Sequence, residues 1–359
     1  MDWNFYTTPQ AGTGNRKIHY ARGKALGGSS ARNFMIYHRG TRESYQQWAD
    51  AVGDDSYTFH NLTPYFQKSV KFTPPGSSRA ANASAEYDAS AFSSTGGPLQ
   101  VSYPNYAAPF SSYLEGALND IGISDTTDFN SGSLSGAQYC SATIKPNDQT
   151  RDSSQTSFLN AAFGRSNLKV YTLTTAQKVL FNDAKEVTGV KVKSNALTYT
   201  INARREVILS AGAFQSPQLL MLSGIGPVAQ LQKFGIKVLS DLKGVGQNMW
   251  DHVLFGPSFR VKIPTFTRVI NDPIYAAAQL VNYSVLKQGP LTSPICDYLG
   301  WEKTPDAFKD NFSSAAKSDL AGFPSDWPEI EYLSAAGYIG NFSSAAQPND
   351  GYQVRSVSV

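Results

Sequence analysis

The sequence predicts an α/β fold on three observations. Apolar residues recur at helical spacing near the start, alternation takes over between Leu168 and Ala203, and a Gly27-Gly28-Ser29-Ser30 turn stands directly before a helical pattern. Paired glycines let a backbone approach another group closely. Two following hydroxyl residues suit the cap of a helix whose free N–H groups attract an anion, so the turn reads as a phosphate cradle.

The elements follow in order. Ala31, Phe34, Met35 and His38 are spaced for a helix over Ser30–His38. A second helix, about Ser44–Val52, is expected to bury Tyr45, Trp48, Ala49 and Val52 and to stop at Gly53. A third should begin at Thr63-Pro64, with Leu62, Tyr65, Phe66 and Val70 on one face. Thr73 to Pro98 is small, polar and turn-rich, and reads as a lid or a disordered excursion. Short strands then alternate with one helix near Tyr113–Ile121. LKVYTL, KVLFN, VTGVKVKS and LTYTINA are expected strands. Val207-Ile208-Leu209 reads as a short buried strand ending at Gly212. A helix capped by Ser216-Pro217 and closed by Ser223-Gly224 follows it, then a helix over Val228–Phe234 and a strand over Ile236–Leu239. Beyond Gly256 the chain is aromatic, Pro-rich and strand-like. NFSSAA occurs at 311 and again at 341, an echo too short to be a structural repeat.

At 359 residues the chain can form one large domain or two ordinary ones. A formal charge of +3 gives no reason to expect nucleic acid or an anionic membrane, and no apolar run approaches a membrane span. The opening MDWNFYTTPQ has neither the basic nor the apolar region of a signal peptide. Sequons at Asn61, Asn82, Asn282, Asn311 and Asn341 are near chance in so Ser/Thr-rich a chain. Cys140 and Cys296 leave one disulfide or two buried thiols open.

Gly224-Ile225-Gly226-Pro227-Val228-Ala229 matches G-x-G-x-x-A, but a helix rather than a strand leads into it and Pro227 removes a donor. Capping one helix and starting the next is the better reading. Gly244-Val245-Gly246 lacks a third small residue and a following helix.

GKALGGSSARN with Tyr37 and Gly40, then GAFQSPQLLMLSGIG from Gly212 to Gly226, resemble the two signature motifs of the glucose-methanol-choline (GMC) flavin oxidoreductases. GVGQNMWDH, Gly244 to His252, is similar to a third family segment. The resemblance covers nearly the whole chain and lies closest to a fungal branch of choline dehydrogenase-like and versicolorin B synthase-like enzymes. It implies a doubly wound FAD-binding domain, incomplete here because nothing before Arg22 resembles the family's first βαβ unit, and a substrate domain on an antiparallel sheet. The implied division is 1–70 and 166–255 for the two parts of the FAD-binding domain, 71–165 for a substrate-side excursion, and 256–359 for an incomplete substrate domain.

Carried over position by position, the resemblance places Leu26, Gly27, Gly28, Ser29 and Ser30 along the flavin and pyrophosphate. Asn33, Phe34, Met35 and Ile36 should line the ring, with Asn33 a polar contact at its pyrimidine end. The Ala176 backbone should hold the adenine edge, and Ser210, Ala211 and Gly212 should pass the adenosine part. Some members attach the flavin through a histidine where this chain has Arg32, so FAD is expected to be held non-covalently. Arg32 itself fits a surface cation as well as a phosphate contact. The family's catalytic histidine and its His or Asn partner match none of His19, His38, His60 and His252, so no catalytic residue is assigned and the chain is expected to be a fragment.

The implied activity is oxidation of a CH–OH group with hydride passing to flavin N5, on a small-molecule alcohol or polyketide-like substrate. The alternatives are a non-redox cyclase or lyase of fungal secondary metabolism on the same fold, and an inactive truncated product. No metal is expected, and the oligomeric state is open.

Overall fold

The computed structural model describes residues 1–337 and the backbone of 353–356. The second NFSSAA, from 341, lies outside the described residues. The chain divides into two compact units, Met1–Gly164 with Val253–Val359, and Arg165–His252. Helices and antiparallel sheets give the α/β class that the sequence predicts.

The first unit is organised by an antiparallel sheet in the order Ser258–Arg260, Gln353–Ser356, Ile330–Ala335, Cys296–Glu302, Gly136–Tyr139. Cys296–Glu302 sits inside it and is buried along almost its whole length. Its side chains alternate in period 2 between two apolar clusters. Tyr298 packs on one face with Tyr139, Ala137, Leu114 and Leu118. Leu299 and Trp301 pack on the other with Phe129, Leu134 and Cys140. The helix Pro109–Asp120 buries Ser111, Leu114 and Leu118, the i, i+3, i+7 spacing of one face. Gly300 lets it come close, since a Cβ there would lie 2.9 Å from Leu118 Cδ1.

A carboxylate stands in this core. Asp297 is 1% exposed; its Oδ2 accepts from the Ala108 amide at 2.8 Å and its Oδ1 from the Ser111 hydroxyl at 2.5 Å. Ser334 shares the Ser111 hydroxyl at 2.6 Å. Burial pushes the Asp297 carboxyl above the usual carboxylate range, while these donors and Arg79 pull it back.

Several elements differ from expectation. Ser30–His38 is not a helix: a 3-10 turn covers Gly28–Ala31, Met35 is left-handed at φ 64°, and Ile36–Tyr37 pairs with Ala142 and Ser141 as a strand. The second helix is Arg42–Val52, capped by the Thr41 side chain and closed by left-handed Gly53 as expected. Of its expected core residues only Ala49 is fully buried; Trp48 is exposed and stacks on Tyr57 at 6.2 Å. The third helix starts earlier, at Phe59, because the Thr58 side chain caps it, and Val70 leaves it to pair in parallel with Leu99. Tertiary pairing overrides helical spacing there.

The polar stretch 73–98 is not disordered, and part of it packs into the apolar clusters of the first unit. Ala83, Ala85, Ala91 and Phe92 are buried, and Phe92 stacks on Phe72 at 4.1 Å. A Cβ on Gly97 would lie 2.2 Å from the Lys68 carbonyl oxygen, so the small residues there are contact surfaces. The C-terminal part is also less strand-like than expected, with a helix at Pro273–Leu286. The Asp272 side chain accepts from the Tyr275 amide and Pro273 opens the helix, a start signal present in the sequence. Both cysteines are free thiols, buried, with Cys140 Sγ directed to the Cys296 carbonyl at 3.8 Å.

The second unit carries an antiparallel meander, Thr174–Phe181, Val187–Ser194 and Leu197–Asn202. LKVYTL is therefore not a strand. Helix Gln215–Leu222 is fastened to the meander by Ser223, whose hydroxyl accepts from the Val179 amide at 2.8 Å and donates to the Leu219 carbonyl at 2.6 Å. Val207–Leu209 forms no strand, and Ile208 is 77% exposed. The later strand is Ser240–Asp241 rather than 236–239, parallel to Ile225–Gly226.

Asp297→Ala leaves the Ala108 amide and the Ser111 hydroxyl without their buried acceptor and removes a negative charge near Arg79. A loss of about 3 kcal/mol is expected, read from urea denaturation, against about 1 kcal/mol for Ser111→Ala. Burial pushes the Cys296 thiol up to about 12 and Cys140 up as well, so neither should react with a disulfide reagent until the chain unfolds.

Candidate cofactor-binding site

The Gly27–Ser30 turn is held in place by the segment Arg151–Ser154. Gly27 and Gly28 are left-handed, at φ 89° and 54°, which turns the chain tightly enough for a 3-10 turn to follow. The Ser30 hydroxyl donates to the Gly27 carbonyl at 2.5 Å and accepts from the Ser154 amide at 3.0 Å. The Ser154 hydroxyl donates to the same Gly27 carbonyl at 3.2 Å. The Ser29 hydroxyl accepts from the Gly23 amide at 3.3 Å. Both serines therefore shape the turn itself, not the start of a long helix.

Asn33 ends the turn. Its Oδ1 accepts from the Met35 amide at 3.0 Å, a local bond that competes with helix, and from Arg151 Nη1 at 2.6 Å. The Met35 carbonyl accepts from the Thr143 amide at 2.7 Å, which leads Ile36 into its strand. Leu26 to Ile36 thus form one continuous stretch in the first unit. Within it Leu26 is 39% and Phe34 62% exposed, with Ser29 and Asn33 also exposed between them.

The remaining predicted residues lie in the second unit. Ala176 is exposed on the first strand of the meander, opposite Val192. Ser210, Ala211 and Gly212 are exposed in the loop before helix Gln215–Leu222, with the Ala211 amide donating to Ser216 Oγ at 2.9 Å. Gly212 is left-handed at φ 95°, and the place where its Cβ would stand is open.

Arg151 and Ser154 were not legible as site residues. The only signal was the hydroxyl-rich run TRDSSQTS, which carries no motif on its face. Arg32 is exposed and pairs with Asp2 at 3.3 Å. The histidines are scattered. His38 sets its ring on Trp301 at 5.1 Å and His19 lies 3.2 Å from Asp2 Oδ2; these two, His60 and His252 are all exposed. Among the described residues no group of three or more His, Cys, Asp or Glu could hold a metal ion.

The stretch fits a group that is flat and apolar at one part and polar at another. Exposed Leu26 and Phe34 offer apolar contact, Asn33 offers a carboxamide, and no side chain covers the Gly28 Cα, where a Cβ would meet nothing within 4 Å.

Comparison with known proteins assigns the class. Residues 5–254 match the family model of the GMC oxidoreductases. The chain belongs to this family. It is 47% identical over 353 residues to dehydrogenase pkfF of Emericella nidulans, covering 98% of this chain and 57% of that protein. It is 44% identical over 336 residues to versicolorin B synthase of Aspergillus parasiticus, covering 93% and 52%. The chain thus spans little more than half the length of these curated relatives. An FAD-dependent oxidoreductase from Chaetomium thermophilum superposes with a TM-score of 0.80 at 31% identity, over 86% of this chain and 55% of that one.

Gly23→Ala would put a Cβ 2.1 Å from the Gly28 carbonyl oxygen, backbone that cannot move without the turn. We expect a cost of at least about 2 kcal/mol, with amide hydrogen exchange rising first at Gly27–Ser30. Ser154→Ala should raise the same exchange at a smaller cost of about 1 kcal/mol.

Proposed function

We propose that this chain carries the FAD-binding surface and the substrate-side sheet of an oxidoreductase that takes hydride from a CH–OH group. The observation that carries the reading is the exposed Leu26–Ile36 stretch, whose backbone turn, apolar side chains and carboxamide fit a flavin and lie on the family's first signature motif. When bound, FAD would supply the acceptor for a carbinol hydride, and the alcohol proton would need a base.

The chain's own residues bind and orient. Leu26 to Ser30 hold the cofactor's phosphate side, and Asn33 to Ile36 its ring. Ala176 and Ser210 to Gly212 serve the adenosine part, where small residues allow backbone approach. FAD is held non-covalently: Arg32 occupies the position where some members attach it, and its guanidinium is engaged by Asp2. None of the four histidines is assigned as the base. His38 sets its ring against Trp301 and His19 lies beside Asp2, and all four histidines are exposed.

A second reading rests on the 44% identity to versicolorin B synthase. On it, the same surface holds FAD while the substrate, polyketide-like, cyclises without net electron transfer. The substrate is a small molecule on either reading.

The chain should purify with FAD or take it up, and denaturation should release all of it into the supernatant. Flavin that stays with the precipitated chain would refute non-covalent attachment. A colourless chain that refuses added FAD would refute the binding assignment itself. With FAD bound, anaerobic bleaching by an alcohol selects the redox reading; turnover with an unchanged flavin spectrum selects the cyclase.

A further inference from the structure

Arg151 is a half-buried partner of the candidate site that neither motif contains. It forms an isolated antiparallel bridge with Ile144 and precedes the helical turn at Gln155–Leu159, so its backbone is fixed. Its Nη1 donates to Asn33 Oδ1 at 2.6 Å and to the Ser30 carbonyl at 3.2 Å. One guanidinium thus joins the serine turn to the residue that ends it.

Two consequences follow from donor and acceptor chemistry. The Asn33 oxygen takes two donors, Arg151 and the Met35 amide, which fills both lone pairs. A flipped carboxamide would set its NH₂ against two donors, so its orientation is determined. What Asn33 can offer a ligand is therefore its Nδ2–H groups. In addition, no carboxylate pairs with Arg151 among the described residues, and burial pulls its pKa down without an opposing anion. The neighbouring cation, Arg32, is by contrast paired with Asp2. A partly buried, uncompensated guanidinium with Nε and Nη2 still available favours an anionic or carbonyl-rich ligand edge.

We infer that Arg151 is a positioning residue of the flavin surface: it fixes Asn33 as a hydrogen-bond donor to the carbonyl edge of the ring and sets a positive charge beside that edge. This rests on the reading that Leu26–Ile36 binds FAD. A charge so placed holds electron density better on the ring once hydride has arrived, so it should raise the midpoint potential of bound FAD as well as its affinity.

The test is a titration of the 359-residue chain with FAD, followed by flavin fluorescence quenching, and potentiometry of the bound flavin by dye equilibration. Arg151→Gln should weaken binding by at least about tenfold and move the potential of the flavin that remains bound to more negative values. Arg151→Lys, which keeps the charge but not the fork, should restore the potential more fully than the affinity. Circular dichroism checks that each variant folds. Asn33→Asp gives a second arm, since it keeps the acceptor for Arg151 and loses the donor; it too should weaken FAD binding about tenfold. If the wild-type chain binds FAD and Arg151→Gln matches it in both affinity and potential, the inference fails while the binding assignment stands. If Arg151→Gln does not fold, wild-type affinity in Asn33→Asp overturns the donor role. If the wild-type chain binds no FAD, the underlying reading is refuted and this inference with it.

Discussion

The side chain of Asp152 is the fastening on which the candidate site depends. It is 1% exposed; Oδ2 accepts from the Gln100 amide at 2.8 Å and Oδ1 from the Thr156 hydroxyl at 2.5 Å, with Lys145 Nζ 4.0 Å away. Gln100 belongs to the strand Leu99–Val101, which pairs with Val70–Phe72 and so reaches the end of helix Phe59–Ser69. A buried carboxylate left without such donors would be costly, so these bonds hold the backbone at 152 strictly. With Asp152 anchored inward, its neighbours Arg151 and Ser154 reach the Gly27–Ser30 turn. The cradle's shape is set by a segment over a hundred residues away in sequence.

A second buried carboxylate, Asp297, does comparable work in the sheet. It fastens the start of helix Pro109–Asp120 through the Ala108 amide and Ser111, while the apolar alternation of Tyr298, Leu299 and Trp301 supplies the burial on both faces. Apolar contact is nondirectional, so it would tolerate the helix sliding along the strand. The hydrogen bonds to one carboxylate would not. Helix, sheet and excursion are thereby held in one register, since Ala83, Ala85 and Tyr103 pack into the same cluster.

How much of this was legible follows from the range of the forces involved. The helix Arg42–Val52 was readable to within two residues because its Gly53 stop is local; its Thr41 cap was not read. The meander was readable because alternation in Val187–Ser194 is itself local. Ser30–His38 was misread because its outcome was decided by Arg151, Thr143 and the pairing with Ala142, all distant in sequence. The excursion at 73–98 misled in the opposite way. Its alanines and glycines signal polarity and turns, yet Gly97 and Ala91 are small because something lies against them. The motif that carried recognition, Gly27 to Asn33, pointed to the right family and was wrong in conformation.

That error bears on function. Had Ser30–His38 been helical, Asn33 would have used its backbone in an i, i+4 ladder and left its side chain free to rotate. In the 3-10 turn with left-handed Met35, the carboxamide is tied on its oxygen side by two donors. A free side chain must lose rotamer freedom when a ligand arrives, whereas a tied one has already lost it during folding. Preorganisation of this kind favours whatever is bound, irrespective of what reaction follows. It is consistent with relatives named dehydrogenase and synthase matching this chain at similar identity, 47% and 44%. If the stretch holds FAD as proposed, the choice between the redox and the cyclase readings has to come from the groups that meet the substrate.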